Sequence, residues 1–196
     1  MRQSHTAIIT MAVLGWVALA GLSPTAATAQ EKAKPVVVME TNLGVVEIEL
    51  DPEKAPITSA NFLKYVDAKF YDGKIFHRVI PNFMAQGGGF DENLREPPTG
   101  SGIQNESTNG LKNDRGTIAM ARTSDPNSAT AQFFINYKNN DFLNGQAGRA
   151  GYAVFGKVVK GMDVVDEMAK IPTGSRGMFD SDVPQKTIVI KSARRK

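Results

Sequence analysis

His77 is the residue from which most hydrolytic or metal-assisted chemistry in this chain would have to start. The 196 residues hold one other histidine, His5, and no cysteine. A serine hydrolase needs a nucleophile, a histidine base and a carboxylate, and no G-x-S-x-G elbow accompanies the candidate base. A metal site is no better supplied, because His77 has no second His or Cys at ligand spacing and no EF-hand loop is present. Lack of cysteine also removes disulfides, zinc ribbons, iron–sulfur clusters and thiol nucleophiles. Gly151–Lys157 matches G-x-x-x-x-G-K, but Val158 stands where a Ser or Thr would bind magnesium, and the segment reads as a strand. Asn105, Glu106 and Ser107 form an N-x-S sequon, relevant only in a glycosylating host. No metal and no cofactor are expected.

These exclusions leave reactions that need no nucleophile, metal or proton shuttle. Rotation about an X-Pro bond is one, since its barrier of about 18–20 kcal/mol arises from amide resonance alone. A protein lowers that barrier by gripping the proline ring in an apolar slot and aiming a donor at the prolyl nitrogen, which becomes basic as the bond twists.

The segment Phe76-His77-Arg78-Val79-Ile80-Pro81-Asn82-Phe83-Met84-Ala85-Gln86-Gly87-Gly88 resembles the signature of the cyclophilin family of peptidyl-prolyl isomerases. Gly116–Ala121, Ala131–Ile135 and Val154–Val158 follow in the family's order, and the resemblance runs from about Val36 to Ile190. It implies that Arg78, with Phe83 and Gln86, is catalytic, the fixed positive fork of the arginine meeting the prolyl nitrogen. It further implies that Phe83, Met84, Phe134 and Leu143 line the proline pocket, with Gln86 and Gln132 as polar neighbours. Ala121 and Arg122 match the strand edge that meets substrate backbone, although the family often has Asn at the second position. Phe142 stands where many members carry Trp, and Tyr152 where they carry His. Phe142 keeps an apolar wall but lacks the indole N–H directed at cyclosporin. The resemblance implies proline-containing peptides and unfolded proteins as partners; a monomer is expected. Strand alternation predicts that His77 turns away from the pocket that Arg78 enters.

The elements that must position these residues are legible too. Val46, Ile48 and Leu50 alternate with Glu47 and Glu49, the pattern of a half-buried strand paired through an Asn/Gly turn with Val36–Glu40. Further strand-like runs are Ile75–Ile80, Phe83–Gln86, Thr117–Ala121, Phe133–Asn136, Tyr152–Val159 and Thr187–Lys191. Thr58 or Ser59 is placed to cap a helix running to about Lys69, with Leu63, Val66 and Phe70 on one face. A second helix fits Met162–Lys170, ended by Pro172. This count predicts a mainly β protein, a closed eight-stranded antiparallel β-barrel capped by two α-helices, which is also the fold the resemblance implies. The turn-rich stretches Gly87–Arg115 and Tyr137–Gly151 are expected to carry function.

Composition agrees with one soluble globular domain, 41% hydrophobic and 22% charged. A net charge of +3, with no basic cluster beyond Arg194, Arg195 and Lys196, argues against a nucleic-acid partner. Arg2 and His5 precede an apolar run from Ala7 to Leu22, followed by Ala27-Thr28-Ala29, which reads as a cleaved secretory signal over residues 1–29. The run is shorter than the roughly 20 apolar residues that span a bilayer, so no stable membrane association is expected after cleavage. A periplasmic location follows from this leader in combination with the resemblance. Residues 30–35 are then a flexible lead-in and residues 36–196 the isomerase domain.

Overall fold

Val46, Ile48 and Leu50 are wholly buried and alternate with more exposed neighbours, the inside–outside rule of a strand that covers a core. The computed structural model describes Met1 and residues 33–196; the expected leader, its cleavage site and residues 30–32 lie outside the described residues. The main sheet contains β1 (Val36–Thr41), β2 (Val45–Leu50), β3 (Lys74–Ile80), β4 (Met84–Asp91), β5 (Thr117–Met120), β6 (Phe133–Asn136), β7 (Val154–Lys160) and β10 (Ile190–Arg195). Its order is β10-β1-β2-β7-β5-β6-β4-β3, and every pairing is antiparallel. The outer strands nearly meet, because Gly73 N donates to Ile190 O at 2.8 Å and Phe76 N to Ile188 O at 2.9 Å. A nearly closed barrel results.

Two helices share its core. From α1 (Pro56–Asp67), Phe62 meets Phe133 edge-on with ring centroids 5.7 Å apart and Phe155 at 5.1 Å. From α2 (Met162–Met168), Val165 and Met168 are wholly buried in the same cluster. Two further strands, β8 (Thr173–Arg176) and β9 (Phe179–Pro184), form a separate hairpin that packs on β3.

Several expectations are corrected by these contacts. Thr58 and Ser59 do not cap α1 but lie buried within it, and the helix starts at Pro56, whose missing N–H costs nothing in the first turn. The cap comes from Glu106, whose carboxylate accepts from Ile57 N at 3.1 Å and from Thr58 N at 2.8 Å, where the helix dipole favours negative charge. α1 ends at Asp67 and α2 at Met168, each two residues early. β4 runs on to Asp91, so the turn-rich stretch begins later, and Phe83 sits in the turn before it. β7 starts at Val154, past Tyr152.

The basic tail is part of a strand, not a free cluster. Arg194 pairs with Asp72 and Arg195 with Asp67, both at 2.6 Å, while Lys196 reaches Glu47 at 2.8 Å. The end of the lead-in is likewise held: Pro35 O accepts from Leu50 N at 2.8 Å and Lys34 pairs with Asp51 at 2.7 Å. Asn105 of the sequon donates its side-chain amide to Pro126 O and Gly151 O inside the fold. No helix among the described residues is long and apolar enough to cross a membrane.

Candidate active site

Strand alternation gives the barrel wall a second, outward-facing apolar cluster. Along β6, Phe133 and Ile135 join the interior, whereas Phe134 points out and packs with Met84, Ala119, Leu143 and Val154. The Gly87–Gly89 run lets β4 press against the interior: Gly88 has φ +83°, and a Cβ there would stand 2.7 Å from the Phe133 ring. Leu143 arrives from the 3-10 helix Asp141–Leu143. Met84, Phe134 and Leu143, with half-buried Phe83, line an open cleft of about 420 Å³. Gln86, Ala121, Arg122, Gln132 and Tyr152 complete its walls, and Arg78 reaches it from β3.

Phe142 is the one expected residue that does not line this cleft. It is 61% exposed and stacks on Phe83 with centroids 5.6 Å apart, so it extends the apolar rim instead. His77 departs in the opposite sense, since it does line the cleft. The cause is a register shift: Phe76 pairs with Gly87 and Arg78 with the adjacent Gln86, leaving His77 as an extra residue on β3. Phe76 and Val79 face the core while His77 and Arg78, consecutive residues, both reach the cleft. His77 is nonetheless structural. It is 2% exposed, with ring centroids 4.7 Å from Phe90 and 5.6 Å from Phe179, and Nδ1 has no partner. Burial, with a smaller push from the Arg78 charge, lowers its pKa to about 4, so it is neutral at pH 7.

The β8–β9 hairpin contributes residues that the sequence pattern did not single out. Phe179 walls the cleft beside Phe90, with rings edge-on at 5.2 Å. Asp182, at φ +66°, places Oδ2 3.5 Å from Arg78 Nε. The Arg78 side chain is 43% exposed, with its Nε edge against Asp182. Among the described residues, no group of three His, Cys, Asp or Glu could hold a metal ion. A cationic fork over an apolar slot, flanked by two amides, binds and polarises but has no group placed to shuttle a proton.

The family profile for cyclophilin type peptidyl-prolyl cis-trans isomerase/CLD matches residues 36–195. The chain belongs to the cyclophilin family of isomerases. It is 57% identical over 167 residues to a peptidyl-prolyl cis-trans isomerase of Acinetobacter baylyi, covering 85% of this chain and 88% of that protein. Peptidyl-prolyl cis-trans isomerase B of Escherichia coli is 51% identical over 160 residues, covering 80% and 97%. A crystal structure of a Cryptosporidium parvum cyclophilin type isomerase superposes with a TM-score of 0.69 at 29% identity, over 83% of this chain and 98% of the other.

In this cyclophilin two of the three departures from the family pattern, Arg122 and Tyr152, are coupled. Arg122 lies over the Tyr152 ring at 4.7 Å and donates to the carbonyls of Gly151, Ala150 and Thr123 at 3.0, 2.9 and 2.8 Å. Its side chain therefore ties the 150–152 loop to the end of β5, a role beyond the main-chain one expected. Beneath Phe83 lies a polar support. Phe83 O accepts from Tyr137 N and Asn140 Nδ2, both at 3.0 Å, and Asn140 also donates to Asn136 Oδ1 at 2.8 Å. Asn136 continues to Asn113 and Thr117 at 3.2 and 3.0 Å, a largely buried network that fixes the turn carrying the pocket's aromatic wall.

Proposed function

We propose that this cyclophilin is exported to the periplasm and there accelerates X-Pro rotation in unfolded or flexible proteins, as a monomer with no stable membrane association. In this reading Phe83, Met84, Phe134 and Leu143 hold the proline ring, and the groups along Gln86, Ala121, Arg122 and Gln132 meet the flanking backbone. As the amide twists, resonance is lost and the prolyl nitrogen gains an available lone pair. Arg78 donates to that nitrogen, an interaction that strengthens only in the transition state and so raises kcat. The observation that carries this assignment is the partly exposed Arg78 side chain at the wall of an apolar cleft, with Asp182 beside its Nε edge. The leader over residues 1–29 supports export; recovery of a mature protein beginning at Gln30 from the periplasmic fraction tests it.

A coupled isomerisation assay on a short X-Pro peptide tests the chemistry. Arg78→Ala is expected to lower kcat/KM by about 10²–10³, or about 2.7–4 kcal/mol, by analogy with a lost oxyanion donor. Its unfolding midpoint should barely move, because the side chain is not in the core. Full activity in the folded variant would overturn the assignment, and peptide binding without turnover in the wild type would point to a chaperone.

A further inference from the structure

We propose that Glu96 is a positioning residue that sets the direction of both cleft glutamines and thereby the acceptor presented to Arg78. The proposal rests on Arg78 being the catalytic donor. Gln132 Nε2 donates to Glu96 Oε1 at 2.8 Å, and Gln86 Nε2 donates to Gln132 Oε1 at 3.0 Å. A primary amide can point either way, since its two ends are nearly equal in size, but an ionised carboxylate can only accept. Glu96 therefore draws the NH2 of Gln132 to itself and turns Oε1 of Gln132 toward Gln86. Gln86 must answer with its own NH2, which leaves its Oε1 as the free end. Gln86 is the cross-strand partner of Arg78, so the two side chains leave the same face of the sheet into the same cleft. A guanidinium has donors only, so a free acceptor beside it holds the fork, whereas a free NH2 would repel it.

The parts of this relay are fixed rather than incidental. Gly89 gives Gln132 its seat, because a Cβ at that position would stand 2.5 Å from the Gln132 amide carbon. The turn that presents Glu96 is locked by Asp91, whose Oδ1 accepts from Asn93 N and Arg95 N, both at 2.9 Å. The β8–β9 hairpin braces it from outside: Arg176 donates to Glu92 O at 2.8 Å, and Gly177 leaves room for Leu94. Glu96 itself stands at a second cleft of about 220 Å³ that shares Gln86 and Gln132 with the first.

A polarity series tests the relay with a neutral X-Pro peptide at raised ionic strength, where the bare charge of residue 96 is screened. Glu96→Gln keeps an acceptor and should stay within about twofold of wild type, while Glu96→Ala should lower kcat about threefold. Glu96→Lys offers only donors, inverts both amides and should lower kcat about tenfold with KM nearly unmoved. The drop should vanish in a Gln132→Met background, which breaks the relay whatever occupies position 96. Side-chain amide NMR of Gln86 should shift in Glu96→Lys, a readout independent of turnover. Unchanged kcat in Glu96→Lys, an equal loss in Glu96→Gln, or a loss that persists without Gln132 would overturn the relay. Arg78→Ala measured alongside separates the two readings: its inactivity beside a fully active Glu96→Lys sinks the relay alone.

Discussion

The barrel interior and the cleft use alternate residues of the same strands and differ in what surrounds them. Phe133, Ile135, Ile118 and Phe155 point inward and meet protein on every side. Phe134, Ala119 and Val154 occupy the intervening positions, but their cluster opens onto a cleft edged by Arg78 and two amides. A short strand can thus spend one face on stability and the other on recognition. Neighbouring substitutions should separate the two.

The sharpest version compares Phe133→Ala with Phe134→Ala. The first removes a ring from a closed core and should cost about 3–5 kcal/mol of stability. The second leaves its gap on the open side, where water can enter, and should cost less stability while raising KM for X-Pro peptides. Denaturant midpoints and steady-state kinetics on both variants check this. Equal destabilisation with equal kinetics would mean that the two faces are not functionally distinct.

His77 lies at the boundary between these regions, and acid should reveal it. Its pKa of about 4 in the fold lies below the ordinary 6.5, so the unfolded chain takes up the proton first. Stability should therefore be insensitive above about pH 7 and fall from about pH 6.5 toward 4, by about 3 kcal/mol in total. Asp51 and Asp72, held low by Lys34 and Arg194, lose stabilisation as pH falls through the ordinary carboxylate value and below it, which leaves the upper part of the window to His77. His77→Phe, an apolar ring between Phe90 and Phe179, should flatten the decline between pH 6.5 and 5. Parallel urea midpoints for wild type and variant across that range would refute the assignment.

The smallest effect belongs to Asp182. Asp182→Asn preserves a residue that tolerates φ +66° and removes only the charge beside Arg78. For a partly exposed pair the loss is about 0.5–1 kcal/mol, read as a roughly twofold to fivefold fall in kcat/KM that shrinks with added salt. An unchanged kcat/KM at low salt would show that the hairpin walls the cleft without aiming the arginine.

What could be read in advance follows from the range of the forces involved. The alternation of Val46, Ile48 and Leu50 is local, so the barrel strands are legible in it, whereas Phe134 and Met84 are assigned to the pocket only through the family resemblance. The hairpin is not legible, because Thr173–Arg176 and Phe179–Pro184 are largely polar and lack alternation; Asp182 and Phe179 gain meaning only by docking on β3. The orientation of His77 departs from the period-2 expectation because a one-residue register shift leaves no trace in such a pattern. Arg194 and Arg195 resembled a loose basic tail because Asp72 and Asp67 lie more than a hundred positions earlier. Glu96 carries no signal, since its contact is with the amide of Gln132, 36 positions further along the chain.

The carboxylate over the first turn of α1 makes an apparently local helix a late event in folding. Ile57 lies 49 positions before the Glu106 that completes its hydrogen bonding, and Ala55 offers no side chain to substitute. Until the intervening β3, β4 and their turn have returned that carboxylate to the helix, the first turn frays, and closing so long a loop is entropically slow. Helix and barrel wall must then be acquired together, so a chain emerging stepwise should not lay down α1 as a finished nucleus ahead of the sheet.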